Sequence, residues 1–307
     1  MNHYKLIIIG SGPAGLTAAI YSARAELSPL VIAGLTFGGQ LMTTTEVENY
    51  PGFPKGVQGP ELMQQMIAQA ERFGAAIIYE DAVKVDFGKK PFKITTGEKE
   101  YSADCVIIAT GAVYKWLDIP SETRLRGRGI SACATCDGFF FKDKELVVVG
   151  GGDAAMEEAI YLTKFATKVT ILNRSDMLRA SKIMAQRAKD NPKITILYDK
   201  TVQEFLGDEK LTGILVKDAK SGEVEEVKIG GAFIAIGHKP ATGIFAGQIE
   251  VDEKGFVVAT DQTRTNVAGV FVAGDVKDHR YKQAVTAAGM GCMAAMDAEK
   301  YLGMDQG

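Results

Sequence analysis

Short, unbroken runs of apolar residues recur along the chain, and a glycine follows each of the clearest ones within two residues. The runs lie at 6–9, 30–33, 105–109, 146–149 and 270–273. Continuous apolar runs of this length are typical of strands buried on both faces of a parallel sheet. Between them the pattern changes to the helical spacing of small or apolar residues, at 14–25, 61–73 and 154–165 and after Gln283. This alternation predicts an α/β protein. Residues 240–247 contain one proline and two glycines and are predicted to form a linker.

The first glycine turn has the form of a dinucleotide-binding site. Residues 10–15 read Gly-Ser-Gly-Pro-Ala-Gly between a predicted strand and a predicted helix. Gly10 permits the tight turn, Gly12 lets the backbone approach a pyrophosphate, and Gly15 lets the helix pack closely. An acidic residue that binds a ribose hydroxyl is expected at the end of the following strand, but that strand ends Ala33-Gly34.

A second turn of the same kind begins at Gly150, where the chain reads Gly-Gly-Gly-Asp-Ala-Ala between a strand and a helix. Two such turns imply two dinucleotide sites and favour a protein that binds both a flavin and a nicotinamide nucleotide. Arg174 is predicted at the end of the next strand, and Arg179 and Lys182 early in the following helix. Cations there suit the 2′-phosphate of NADPH. A solvated basic helix face is the alternative, and Asp176 would instead suit a ribose hydroxyl.

Cys133 and Cys136 form a C-x-x-C pair just before the second turn, and Asp137 follows directly. Two thiols at this spacing can cycle between dithiol and disulfide. The same spacing is half of many zinc sites, but the other cysteines and the histidines show no matching pair: Cys105, Cys292, His3, His238 and His279. We therefore predict a redox pair and no metal site.

Composition narrows the class of protein further. Hydrophobic residues make up 46% and charged residues 24% of the 307 residues, which is ordinary for a globular protein with an ample core. The formal net charge of −3 argues against a nucleic-acid or anionic-membrane partner. Four cysteines, no signal-like N-terminus and no apolar run of membrane-spanning length favour a cytoplasmic location.

Taken in order, these motifs resemble those of the low-molecular-weight thioredoxin reductases of bacteria and archaea, over nearly the whole chain. The resemblance implies an α/β fold of two Rossmann-like three-layer domains, with an NADPH domain inserted into a discontinuous FAD domain. The FAD domain is expected at 1–114 and 245–307, and the NADPH domain, with the cysteines, at 115–244. The family forms homodimers, and its inserted domain rotates between two states that bring either the cysteines or the nicotinamide to the flavin.

The resemblance also implies residue roles. Cys133 and Cys136 are the redox-active pair that reduces thioredoxin, and Asp137 is expected to move protons on and off the sulfurs. The residues expected to bind FAD are Gly10, Ser11, Gly12, Pro13, Ala14, Gly15, Gly38, Gly39, Gln40, Asn49, Val83, Ala109, Thr110, Gly111, Gly274, Asp275, Lys282, Gln283 and Ala284. Those expected to bind NADPH are Gly150, Gly152, Asp153, Ala154, Ala155, Arg174, Arg179 and His238.

Two departures from the family pattern bear on the cofactors. The family usually has His-Arg-Arg where this chain has Asn173-Arg174-Ser175, so half of the usual cationic cradle is absent and NADH becomes a possible donor. The family's Arg-Gln-Ala near the flavin is Lys282-Gln283-Ala284 here, which keeps the charge but not the guanidinium fork. The alternative function is therefore a flavin disulfide reductase of the same fold with another donor, such as ferredoxin or NADH, or another small redox protein as acceptor.

Overall fold

The computed structural model describes residues 2–44, 46–97 and 99–304. The chain forms two compact units. Unit 1 comprises Met1–Val113 and Lys239–Gly307, and unit 2 comprises Tyr114–His238. Unit 2 is therefore an insertion in the sequence of unit 1.

Unit 1 is built on a seven-stranded sheet in which the order is β5-β2-β1-β8-β7-β6, with β19 also paired to β8. Strands β5, β2, β1, β8 and β19 are parallel, and β6, β7 and β8 are antiparallel. The strand bounds are β1 (Asn2–Ile9), β2 (Leu30–Ile32), β3 (Glu46–Val47), β4 (Val57–Gln58), β5 (Ala76–Ile78), β6 (Ala82–Asp86), β7 (Phe92–Thr96), β8 (Lys99–Ile108), β9 (Ala112–Tyr114), β18 (His238–Pro240) and β19 (Val270–Val272). The chain passes between the two units within β9 and β18.

Helices cover one face of this sheet. They are α1 (Pro13–Arg24), α2 (Gly59–Arg72) and α7 (Ala284–Met304), with short 3-10 turns at Gly39–Thr43 and Gly243–Phe245. Helices α1 and α7 pack so closely that a Cβ placed on Gly291 would lie 2.1 Å from the Ala14 carbonyl oxygen. Small residues on both helices allow this approach and bury the α1–α7 seam over the parallel strands.

Unit 2 repeats the arrangement on a smaller scale. Its five parallel strands have the order β10-β17-β11-β12-β13, and a separate antiparallel sheet has the order β14-β15-β16. The strands are β10 (Ile130–Ser131), β11 (Glu145–Val149), β12 (Lys168–Leu172), β13 (Ile194–Leu197), β14 (Lys200–Leu206), β15 (Gly213–Asp218), β16 (Val224–Lys228) and β17 (Gly231–Ile234). The helices are α3 (Pro120–Leu125), α4 (Ala134–Asp137), α5 (Asp153–Leu162) and α6 (Lys182–Lys189), with a 3-10 turn at Gly138–Phe141.

The predicted α/β class with two Rossmann-like units is confirmed, but two local expectations are wrong. Residues 240–247 have the Pro and Gly content of a linker, yet Phe245 is fully buried in the core of unit 1. Arg179 precedes helix α6, because the Ser181 hydroxyl caps that helix by accepting a hydrogen bond from the Met184 N–H. Over the described ranges, no helix is both long and apolar enough to cross a membrane.

Candidate redox and dinucleotide sites

The glycine turn of unit 1 is shaped by contacts that exclude side chains. Gly10 has φ +112°, and a Cβ there would lie 2.3 Å from the Ala109 carbonyl oxygen. A Cβ on Gly15 would lie 1.9 Å from the Gly10 carbonyl oxygen. Gly12 differs, because no heavy atom of the described chain lies within 4 Å of its Cβ position. The turn is therefore closed toward the protein and open at Gly12, which is where a pyrophosphate would approach.

Ser11 connects this turn to its neighbours. Its hydroxyl donates to the Ala33 carbonyl oxygen at 2.7 Å and accepts from the Gly38 N–H at 2.9 Å. Gly39 then packs on the turn, with its Cβ position 3.4 Å from the Gly12 Cα. The Ser11 hydroxyl is thus engaged within the protein, and it fixes the 38–39 loop beside the phosphate-binding turn.

Asp275 follows β19 and has an unmet hydrogen-bonding requirement. Its Oδ1 is buried and has no hydrogen-bond partner among the described residues. Burial raises the pKa of Asp275 to about 7; the nearby Asp278 carboxylate adds to the increase and Lys282 opposes it. A buried polar atom without a partner is costly and commonly marks a missing ligand or water. A ligand with a chain of hydroxyl groups, such as the ribityl chain of a flavin, has donors of the kind that this oxygen lacks.

Several of the remaining predicted flavin residues make hydrogen bonds within unit 1. Gln283 lies just before α7, and its Oε1 accepts from the Asn49 Nδ2 at 3.3 Å. The Gln40 side-chain amide donates to the Ala112 carbonyl oxygen, and the Thr110 hydroxyl donates to the Ala241 carbonyl oxygen at 2.8 Å. Val83 lies in β6 with 54% of its surface exposed. The side-chain amides and the Thr110 hydroxyl thus hold these loops together around the open turn.

The glycine turn of unit 2 has the same construction. Gly150 has φ +152°, and a Cβ there would lie 2.4 Å from the Ala235 carbonyl oxygen and 2.9 Å from the Ala155 Cβ. At Gly152 the corresponding position again has no described heavy atom within 4 Å. Asp153 begins α5, and its Oδ1 accepts from the Ser181 N–H at 2.7 Å. This turn is therefore also open toward a ligand and fixed on its protein side.

Asn173 supports the loop that follows β12. Its side chain is buried and donates to the carbonyl oxygens of Ser175 at 2.7 Å and Met177 at 2.9 Å. The Ser175 hydroxyl also donates to Met177, at 3.0 Å. A Cβ on Gly151 would lie 2.0 Å from the Asn173 Oδ1, so this loop packs directly on the phosphate turn.

Two cations are left exposed around this rigid loop. Arg174 lies on the loop itself, and the Arg179 N–H donates to the Gly151 carbonyl oxygen at 2.7 Å, which places Arg179 beside the turn. His238 is elsewhere in unit 2, with its ring 4.6 Å from that of Tyr114. Two exposed guanidinium groups thus lie on the segment that packs against the phosphate turn, and guanidinium groups are the side chains best suited to bind a phosphate.

The C-x-x-C pair is a disulfide between Cys133, which caps the N-terminus of the single-turn helix α4, and Cys136, which lies within that helix. Cys136 is exposed and Cys133 is half-buried. The Cys133 N–H donates to the Ser131 hydroxyl at 3.0 Å, and that hydroxyl donates to the Asp137 Oδ2 at 2.5 Å. Ser131 therefore links the backbone of one cysteine to the neighbouring carboxylate.

Asp137 is set up for proton transfer by its surroundings. Burial raises the pKa of its carboxyl group, and the hydrogen bond from Ser131 partly opposes that increase. A carboxyl group with a raised pKa holds a proton more readily at neutral pH and can return it to a thiolate. The sequence identified Asp137 but missed Ser131, because no spacing rule links a serine before the pair to a carboxylate after it.

Comparison with known proteins agrees with this arrangement. Residues 4–291 match the family model described as pyridine nucleotide-disulphide oxidoreductase. The chain is 55% identical over 303 residues to a thioredoxin reductase of Rickettsia felis, covering 97% of this chain and 98% of that protein. It is 55% identical over 301 residues to a thioredoxin reductase of Streptomyces coelicolor, covering 97% and 94%.

A solved structure supports the same grouping. The thioredoxin reductase from Giardia duodenalis superposes with a TM-score of 0.95 at 45% identity, covering 99% of this chain and 100% of that one. A match of this extent in both sequence and structure establishes the family. The chain therefore belongs to the pyridine nucleotide-disulphide oxidoreductase family and groups there with the thioredoxin reductases.

Proposed function

We propose that this chain is a thioredoxin-disulfide reductase, which carries two electrons from NADPH, by way of FAD and the Cys133–Cys136 disulfide, to oxidised thioredoxin. The observation that carries the proposal is the Cys133–Cys136 disulfide beside a half-buried, hydrogen-bonded Asp137, in the same unit as a dinucleotide turn. The 55% identity to thioredoxin reductases over 303 residues supports thioredoxin as the acceptor.

The residues of each unit fit one cofactor. In unit 1 the open position at Gly12 suits the pyrophosphate of FAD, and the unpartnered Asp275 oxygen suits a hydroxyl of its ribityl chain. In unit 2 the open position at Gly152 suits the pyrophosphate of NADPH, with Arg174 and Arg179 placed for its 2′-phosphate. When bound, NADPH supplies a hydride and FAD relays its two electrons to the disulfide.

The chain's own residues complete the reaction. When the Cys133–Cys136 bond accepts two electrons, one sulfur becomes a thiolate and the other takes a proton, for which Asp137 is the nearby donor. One thiolate then attacks the disulfide of thioredoxin and forms a mixed disulfide. The second thiol, after losing its proton, attacks that bond, releases reduced thioredoxin and restores the Cys133–Cys136 disulfide. Either cysteine can make the first attack in this scheme.

Serine substitutions test the proposal directly. Cys133→Ser and Cys136→Ser should each abolish reduction of thioredoxin, because a single thiol cannot complete the exchange. Bleaching of the bound flavin by NADPH under anaerobic conditions should continue in both variants. Cys105→Ser is the matched control, since that thiol is fully buried in β8 and should leave thioredoxin reduction unchanged. Thioredoxin reduction by either variant of the pair would overturn the proposal.

We extend the proposal to assembly and location. Three exposed apolar side chains lie together on α1 and α7 of unit 1: Tyr21, Met293 and Met296. Cys292 of α7 lies next to the Tyr21 side chain, and its sulfur lies 3.9 Å from that of Met296. Met293 precedes Met296 by three residues on the same helix and so lies on the same face. An apolar patch of this kind supports a homodimer. A cytoplasmic location suits a pair of cysteines that must cycle through the dithiol form.

A further inference from the structure

The first dinucleotide site has no acidic residue where the Rossmann pattern places one. A carboxylate at the end of the second strand usually binds the ribose hydroxyls, but β2 here is followed by Ala33 and Gly34. This strand end does lie at the glycine turn. The Gly10 N–H donates to the Ile32 carbonyl oxygen at 2.9 Å, and the Ser11 hydroxyl donates to the Ala33 carbonyl oxygen. The site therefore needs its carboxylate from another part of the chain.

A short ladder of hydrogen bonds beyond β2 brings a carboxylate to the end of this strand. The N–H groups of Ala33 and Gly34 donate to the carbonyl oxygens of Ile78 at 2.8 Å and Glu80 at 3.1 Å. The Leu35 N–H then donates to the Asp81 Oδ1 at 2.9 Å. A Cβ on Gly34 would lie only 3.2 Å from that oxygen, and Gly34 has φ +84°. The glycine thus makes room for the Asp81 carboxylate at the end of β2.

Asp81 has the capacity to bind a ligand as well as Leu35. A carboxylate has two oxygens that together accept about four hydrogen bonds. The exposed Asp81 uses Oδ1 for the Leu35 N–H, which leaves Oδ2 for a ligand. Glu80 is not suited to this role, because its two oxygens accept from the Thr96 hydroxyl and the Lys99 ammonium group.

We propose that Asp81 is the residue that binds the adenosine ribose hydroxyls of FAD, supplied from the segment between β5 and β6 in place of the absent acid at the end of β2. The inference rests on the proposed function, which places FAD in unit 1. It predicts that the charged carboxylate of Asp81 interacts with the two ribose hydroxyls of FAD and with no other part of the cofactor.

The test compares two ligands on two forms of the full chain. Asp81→Asn keeps an amide oxygen to accept the Leu35 N–H but removes the charge offered to the diol. The ligands are FAD and an FAD analogue whose adenosine ribose lacks both hydroxyls, and their Kd values are measured by flavin fluorescence. We expect Asp81→Asn to raise the Kd for FAD roughly ten- to a hundredfold, the effect of a hydrogen bond to a charged group, and to leave the Kd for the analogue unchanged.

The controls separate this role from a structural one. Asp86→Asn is matched, because Asp86 is exposed in the same unit and its Oδ1 also accepts a backbone N–H, that of Gly88 at 3.0 Å; its Kd values should equal those of the wild type. Thermal unfolding of the flavin-free chain checks that Asp81→Asn folds. An unchanged Kd for FAD in Asp81→Asn, or an equal loss for both ligands, would overturn the inference. If the wild type binds neither ligand, the proposed flavin function itself fails.

Discussion

At the scale of single residues, burial at the end of β19 raises the pKa of Asp275 to about 7 from an ordinary 3.8, which makes the flavin-free protein sensitive to pH. Between about pH 4 and pH 7 the carboxyl group ionises in the unfolded chain while it stays protonated in the native one. Stability therefore falls as the pH rises through this range, by up to about 4 kcal/mol. Asp275→Asn removes the ionisation, so that decrease should disappear.

The measurement for Asp275 is the free energy of unfolding of flavin-free protein at pH 4, 5.5 and 8. Wild type should lose stability toward pH 8 relative to Asp275→Asn, with the difference between them smallest at pH 4. The variant should also bind FAD more weakly, because a neutral amide oxygen accepts a hydroxyl hydrogen bond less strongly than a carboxylate. Parallel pH curves for the two proteins would show that Asp275 titrates normally.

The choice of electron donor also depends on single residues. Arg174 is exposed on a loop to which the buried Asn173 donates two hydrogen bonds, so its guanidinium group is available to a 2′-phosphate. Arg174→Ala should raise the Kd for NADPH roughly tenfold or more and leave the Kd for NADH unchanged, because only NADPH carries that phosphate. Arg187→Ala, in the last turn of α6, is a control of equal charge. An equal loss of affinity for NADPH and NADH in Arg174→Ala would show that Arg174 does not bind the 2′-phosphate.

At the scale of elements, the α1–α7 seam explains why helix α7 contains so many small residues. A Cβ on Gly291 would meet the Ala14 backbone at 2.1 Å, whereas one on Gly289, two residues earlier, would meet no described heavy atom within 4 Å. Gly291→Ala should therefore destabilise unit 1 by about 1–3 kcal/mol, since the helices must separate. Gly289→Ala should stabilise it by about 0.5–1 kcal/mol through helix propensity. Chemical denaturation of the two variants measures both effects. Equal changes in the free energy of unfolding for Gly291→Ala and Gly289→Ala would show that the α1–α7 seam is loosely packed.

The sequence predicted the elements that local rules specify. Each glycine turn lies between an apolar strand and a helix of small residues. Its first glycine, Gly10 or Gly150, has positive φ and close contacts that only glycine permits, and Gly12 and Gly152 leave the ligand side open, so residue type and position agree. The C-x-x-C spacing likewise predicted a pair that forms a disulfide. These features depend on residues close together in the chain.

What the sequence did not reveal depends on residues far apart in it. Residues 240–247 have a linker's composition, but the core into which Phe245 packs includes Phe87 and Phe92, more than a hundred residues away. The proximity of Asp81 to Leu35 follows from the pairing of β5 with β2, which no local pattern encodes. Asn173 appeared to be a lost phosphate ligand, whereas its buried amide holds the loop. Tertiary contacts determine each of these roles.

At the scale of the whole molecule, the division into two units assigns different chemistry to different parts of the chain. The unpartnered Asp275 oxygen and the open turn at Gly12 belong to unit 1. The Cys133–Cys136 disulfide, Asp137 and the two arginines belong to unit 2. Because unit 2 is inserted between strands of unit 1, substitutions that loosen the α1–α7 seam should reduce FAD content without altering the disulfide's immediate surroundings. The exposed apolar patch on α1 and α7 has no role in either unit's cofactor site, and a homodimer that buries it would account for it.

That patch yields a prediction about the oligomer. Met296 is 58% exposed beside Tyr21 and Met293, and in a homodimer that buries this patch a lysine there would place an unpaired charge in an apolar interface. Met296→Lys should therefore weaken dimerisation by a hundredfold or more, roughly the effect of losing an interface hot spot. Val224→Lys is the matched control, because Val224 is a 46% exposed apolar residue on β16 of unit 2 and is not part of the patch. Sedimentation equilibrium should find wild type and Val224→Lys dimeric and Met296→Lys largely monomeric; a dimeric Met296→Lys variant would mean that copies of the chain associate through another surface.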